Sequence, residues 1–140
     1  MIILFDTCIV LDFLLNRKEF AEMAEELLIL SAEGEIHGVI TVKSLMDIHY
    51  VLKHSLHDER KTRRAISVLL DALSLVDSKN SDALLALSSK ITDFEDALME
   101  TAAVSIKADG IVTRNTKDYK ESRIRVYEPG ELLTQVVLAV

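Results

Sequence analysis

Five strand-length segments run through this chain, all but the fourth followed by one or more stretches with helical periodicity. That alternation constrains the fold more than any other feature, because parallel strands need crossovers long enough to hold a helix. Ile2 to Phe5 is an unbroken apolar run, as expected of a strand covered on both faces. Ile36 to Ile40, Ser74 to Val76, Gly110 to Thr113 and Arg125 to Tyr127 are the other strands expected. Thr7 to Leu15 reads as a helix, and Phe20, Met23, Ala24, Leu27, Leu28 and Ala32 repeat at helical spacing up to a stop at Gly34. Val42 to His54 carries a stripe of Leu45, Ile48, His49 and Leu52. Asp58 is placed to cap a helix through Leu73, and Ser81 or Asp82 to begin one through Ser89. Asp93 to Lys107 is a further helix, and Pro129 precedes the last. The expectation is one α/β domain over residues 1–140, built on a mostly parallel sheet.

Composition narrows the class. With four Gly and one Pro in 140 residues there is little linker, and 49% hydrophobic residues suffice for one core. The net charge of −7 argues against broad, non-specific binding of nucleic acid. It does not exclude a nucleic-acid substrate, because a metal held by carboxylates reverses the sign of the local field. Cys8 is the only cysteine, which removes any internal disulfide, and its apolar neighbours suggest a small buried hydrophobe. The opening Met1 to Asp6 lacks a basic lead and meets an acid early, unlike a signal peptide. No apolar run has the length of a membrane span, so a cytoplasmic protein without membrane contact is expected.

In open α/β sheets ligands gather at the carboxyl ends of strands, where strand order reverses. Asp6 closes the first expected strand. It is either a functional acid at the mouth of the sheet or the cap of the next helix. Asp47 stands in the apolar stretch Leu45-Met46-Asp47-Ile48, where it is either functional or solvated on a polar face. Asp93, Asp96 and Glu100 share a helix face by spacing, and three like charges there repel unless a cation relieves them. The helix dipole accounts for Asp93 and Glu95, and less well for Asp96 and Glu100. Thr113-Arg114-Asn115-Thr116-Lys117-Asp118 follows the fourth strand and again sets polar groups at a carboxyl end, as a plain turn also would. Oxygen donors without thiolates or paired histidines favour Mg²⁺ or Mn²⁺ over zinc. His37, His49, His54 and His57 show no metal-binding spacing and are expected in ordinary surface or core roles.

These segments, in this order, resemble the PIN-domain family nearly end to end. Asp6-Thr7-Cys8-Ile9-Val10-Leu11-Asp12 is similar to its opening signature, and Leu45-Met46-Asp47-Ile48-His49-Tyr50 to the segment of the second acid. Asp93-Phe94-Glu95-Asp96-Ala97-Leu98 resembles the third-acid helix, and Thr113-Arg114-Asn115 through Asp118-Tyr119 the late motif. Two positions depart: Asp47 stands where most members carry glutamate, as in a subgroup with similar wording, and Asn115 where aspartate is frequent. Either Asn115 or Asp118 then fills the fourth-acid position.

The resemblance implies a three-layer α/β/α domain with about five strands and the activity of a metal-dependent endoribonuclease. It is closest to the toxins of toxin–antitoxin pairs, often dimeric and blocked by an antitoxin. Asp6, Asp47, Asp96 and Asp118 would be catalytic, with Mg²⁺ or Mn²⁺ held by Asp6, Asp96, Asp118 and Asp93. Thr7, Thr113 and Asn115 would hydrogen-bond behind those ligands, while Arg114 and Lys117 contact RNA. The basic run Arg60-Lys61-Arg63-Arg64 is read first as a solvated helix face. A phosphatase of the HAD type needs a second acid where this chain has Cys8, and a receiver domain needs an acidic pair and a late lysine. The rival that remains is a PIN-like scaffold binding RNA or protein without cleavage.

Overall fold

The computed structural model describes residues 1–139. Five parallel strands form one sheet: β1 (Ile2–Phe5), β2 (His37–Thr41), β3 (Ser74–Val76), β4 (Gly110–Val112) and β5 (Arg125–Tyr127). Their spatial order is β3-β2-β1-β4-β5. The chain starts in the middle, builds outward to β3, then returns to the other side of β1. Strand order therefore reverses between β1 and β4, and the crevice beyond their carboxyl ends is where a ligand site belongs.

The helices are α1 (Thr7–Leu14), α2 (Ala21–Ala32), α3 (Val42–Leu56), α4 (Glu59–Ala72), α5 (Asn80–Ala86), α6 (Phe94–Ser105) and α7 (Pro129–Ala139). Alternation within β1 shows why the sheet is covered on both sides. Ile3 and Phe5 face a core with Ile9, Leu27, Ile48 and Leu132, while Leu4 faces another with Val39, Ala97, Ala103 and Ile111. The result is the three-layer α/β/α architecture, with α5 and α6 packed together on the second face.

Local chemistry sets the boundaries. Asp58 caps α4 by accepting from Lys61 N at 3.0 Å, as its position predicts. Gly34 takes φ +82° just past α2. The fifth helix departs from expectation: Asp82 is its third residue, buried, with its carboxylate accepting from Lys79 N at 3.1 Å. It also stops at Ala86, because the Ser88 and Ser89 hydroxyls bond nearby backbone in place of another helical turn. Among the described residues no helix is long and apolar enough to cross a membrane.

Candidate active site

Asp6 caps the next helix and also stands on the wall of the crevice at the mouth of the sheet. It caps α1, with Oδ1 accepting from Thr7 N at 2.7 Å, while Oδ2 accepts from the Thr113 hydroxyl at 2.7 Å. Thr113 is fully buried just past β4, and its Oγ1 also accepts from Asn115 N at 3.0 Å. Burial raises the Asp6 pKa above its ordinary value; the bonds from Thr113, Thr7 and Cys8 oppose the rise, and the charge of Asp118 adds to it. Cys8 is only partly buried and borders the cleft, its Sγ 3.8 Å from Thr113 Oγ1. Burial first, then the neighbouring Asp6 charge, pushes its thiol pKa up, so it is a poor nucleophile.

Asp96 approaches from α6. Asp93 caps that helix by accepting from Asp96 N at 3.0 Å, which fixes the first turn against the crevice. The Asp96 pKa is pushed up to about 6 by burial, then by the charges of Asp6 and Asp93, with a smaller push from Asp118. The buried Tyr119 hydroxyl donates to Asp96 Oδ1 at 3.2 Å and opposes the rise. Asp118 is exposed on a 3-10 turn, Thr116–Tyr119, and its charge is felt by both Asp6 and Asp96. Elements distant in sequence thus bring like charges within electrostatic reach.

Asp47 is engaged differently. Its carboxylate pairs with Lys43 one turn earlier on α3, and Lys43 Nζ also lies 3.2 Å from Glu95 Oε1. Burial lowers the lysine pKa, but the two carboxylates outweigh it and the net shift is upward, so Lys43 stays charged. A cleft of about 240 Å³ has Asp6, Lys43, Asp47, Glu95, Asp96 and Asn115 on its walls, while Asp93 and Asp118 stand outside its lining. Thr7 helps to shape it by donating to Ser44 Oγ at 2.9 Å, tying α1 to the buried Ser44 in the first turn of α3.

Two expected members stand elsewhere. Glu100 lies below the cleft, buried, and receives Arg123 N at 2.6 Å and Arg123 Nη2 at 2.8 Å. It anchors the connection into β5. Arg114, read from the sequence as an RNA contact, has Nε and Nη2 closed on Asp12 at 2.6 and 3.0 Å, with its guanidinium 4.0 Å from the centre of the Phe20 ring. Asp12 is fully buried and also pairs with Arg17. The pair holds the Thr113–Asn115 segment against α1. Lys117 is exposed beside the site.

Sequence reasoning missed Lys43, Ser44 and the Asp12–Arg114 pair. Signals for two of them were present: Lys43 precedes Asp47 by four residues, and Asp12 interrupts an apolar helix as Asp47 does. Nothing local marks Ser44, whose partner comes from another helix.

The donor chemistry fits a hard divalent cation: carboxylate oxygens, no thiolate, and acids whose pKa values are raised by burial first and by neighbouring carboxylates second. Among the described residues, no three acid, histidine or cysteine side chains already converge as a closed ligand set.

A parallel 3-2-1-4-5 sheet with an acidic crevice at its switch point defines an open α/β domain with its candidate site at the carboxyl ends of the strands. A PIN-domain family model matches residues 2–117, and the chain belongs to that family. Its fold is shared with solved structures at low sequence identity. VapBC2 from Rickettsia felis, bound to a DNA fragment from its promoter, is 17% identical, with a TM-score of 0.73 over 91% of this chain and 98% of that one. A toxin–antitoxin complex from Klebsiella pneumoniae is 24% identical, with a TM-score of 0.64 over 90% and 96% of the respective chains. DNA-bound VapBC from Salmonella typhimurium is 16% identical, with a TM-score of 0.68 over 92% and 98%. No curated protein sequence matches the chain.

Proposed function

We propose that this chain is an Mg²⁺- or Mn²⁺-dependent endoribonuclease and the toxin of a toxin–antitoxin pair. The observation that carries the reading is the convergence of Asp6 and Asp96 from separate elements at the switch point, both with raised pKa values. Asp6, Asp96 and Asp118 hold the ion, directly or through water, and Asp93 supports it from the cap of α6. A bound ion of this kind lowers the pKa of water and neutralises charge on a phosphate undergoing displacement.

The protein supplies orientation. Thr113 and Thr7 N fix both oxygens of Asp6, each keeping a free lone pair toward the cleft. Tyr119 fixes Asp96 in the same way. Asn115, on the cleft wall, offers a neutral donor and acceptor to the substrate. Asp47 acts through Lys43, and Lys117 offers phosphate a flexible cation at the rim, while Arg114 contributes by holding the Thr113–Asn115 segment in place.

Partners follow from the remaining surface. A groove of about 640 Å³ between α1, α2 and α4 is apolar, with Phe13, Leu28, Ile29 and Val68 on its walls and Lys61 and Arg64 beside them. An amphipathic antitoxin segment with acidic flanks fits that chemistry. Solved neighbours of this fold are toxin–antitoxin complexes. Leu84 and Leu85 of α5 and Leu87 just past its end are all more than half exposed, and a second copy of the chain would cover them as a homodimer.

One observation favours the scaffold alternative: Lys43 already neutralises Asp47, so the second acid is not free. Cleavage of structured and single-stranded RNAs in Mg²⁺, Mn²⁺ or EDTA, comparing wild type with Asp6→Asn, separates the two. Metal-dependent cleavage lost in the variant supports the nuclease. No cleavage, with no metal binding by calorimetry, supports the scaffold.

A further inference from the structure

The acidic cleft occupies only the first turns of α3; the rest of that helix carries a surface of opposite character. Tyr50, His54 and His57 follow Asp47 at intervals of three, four and three residues, so they continue its face away from the cleft. Ten residues at helical rise place His57 about 15 Å from Asp47, the reach of a few nucleotides. A shallow depression of about 560 Å³ lies there, bounded by His49, Tyr50, Lys53, His54 and His57.

The rings in it are displayed rather than packed. Tyr50 is 64% exposed, and its ring centre stands 4.2 Å from that of His54, tilted by 39°. His54 Nδ1 must be the donor in its 2.8 Å contact with the Tyr50 carbonyl oxygen, which can only accept. That bond holds the second ring beside the first. Such a pair is a preformed stacking platform with little side-chain freedom left to lose.

Charge completes the surface. Between residues 53 and 64 there are five Lys and Arg against two acids, in a chain whose net charge is −7. Glu59 accepts from Arg63 at 2.9 Å, lies 3.4 Å from Lys53, and contacts His49 at 3.0 Å, so one carboxylate serves two permanent cations. The excess there is positive.

We infer that the Tyr50–His54 face of α3 is a binding track for single-stranded RNA flanking the scissile phosphate, with bases stacked on the rings and backbone phosphates met by Lys53. This rests on the nuclease reading for its direction and extends it to the substrate's form. Single strands are specified because a base paired within a duplex does not present its face to a ring. Arg60, exposed at the start of α4, lengthens the positive edge.

The test is fluorescence anisotropy of an end-labelled, unstructured 12-nucleotide RNA in EDTA, where binding is read without turnover. Tyr50→Ala is expected to weaken binding about tenfold, the effect of losing one stacked base. Tyr50→Phe should restore it, since the ring face and not the hydroxyl is used. Lys53→Ala should reduce the slope of log Kd against log salt by about 0.7. A duplex of the same sequence should bind weakly and be indifferent to Tyr50→Ala. Unchanged affinity in Tyr50→Ala, or no binding by wild type, overturns the track. So does a change confined to sedimentation, with RNA affinity intact, which would make this face a protein contact. Wild-type cleavage in Mn²⁺ is measured separately: track-dependent binding without cleavage sinks the nuclease and keeps the track, and cleavage with indifferent Tyr50 variants does the reverse.

Discussion

The Thr113 hydroxyl donates to Asp6 Oδ2 at 2.7 Å, joining two residues 107 positions apart at the ends of adjacent strands. The bond does two things at once: it satisfies a buried hydroxyl and fixes the carboxylate rotamer at the switch point. Because Thr113 Oγ1 also accepts from Asn115 N, the same atom sets the first residues of the turn that carries Lys117 and Asp118.

Thr113→Val keeps the shape and removes both bonds. Cleavage should fall about 10- to 100-fold, the range for losing a group that orients a metal ligand. Stability should fall by about 1–2 kcal/mol. Thr113→Ser should restore most of the activity. Kinetics together with urea melts would check it, and full activity in the valine variant would show that Asp6 orients itself.

Asp12 is fully buried and paired with Arg114, so the worth of the pair can be read in folding. Asp12→Ala leaves Arg114 and Arg17 without their carboxylate and should cost about 3–5 kcal/mol in a denaturant titration. Arg114→Ala should cost less, because Arg17 still meets Asp12. A loss below about 1 kcal/mol for Asp12→Ala would mean the pair contributes little.

Asp96 makes the metal-free protein sensitive to pH. Its folded pKa of about 6 exceeds the ordinary 3.8, so below pH 3.8 the acid is neutral in both states and the fold is unaffected. Between those values the unfolded chain ionises first, and stability is lost as pH rises, with the full loss in place above about pH 6. After allowance for its partial exposure the effect is about 1 kcal/mol. Asp96→Asn should therefore melt a few degrees higher than wild type at pH 7.5 in EDTA, and near wild type at pH 3.5. Equal melting at both pH values would contradict the raised pKa that burial and the neighbouring acids give Asp96.

Lys43 shields Asp47 and Glu95 from the rest of the cleft. Lys43→Ala should tighten Mn²⁺ binding about fivefold by calorimetry, as the loss of a competing cation worth about 1 kcal/mol requires. Lys43→Arg should leave it near wild type. Weaker Mn²⁺ binding in the alanine variant would show that Lys43 shapes the site and does not compete for it.

The sequence alone determined most of the element order and the parallel sheet, and it singled out acids at the ends of the first and fourth strands and on two helices. Those properties are local: apolar runs of strand length, helical stripes, and capping residues such as Asp58 and Asp93 announce themselves within a few residues. Tertiary structure decided which charges face one another. Asp96 and Glu100 share a helix face in sequence, yet one turn of rise sends Asp96 to the crevice and Glu100 to Arg123. Asp12 and Asp47 look alike in sequence, each an acid among apolar residues. One is sealed against Arg114 because the β4 turn packs on α1, and the other remains at the cleft because α3 begins there. A carboxylate's role depends on what desolvates it and which charge lies a few ångströms away. For Asp12 and Glu100 both are set by another segment of the chain, 102 residues away at Arg114 and 23 away at Arg123, which no local pattern encodes.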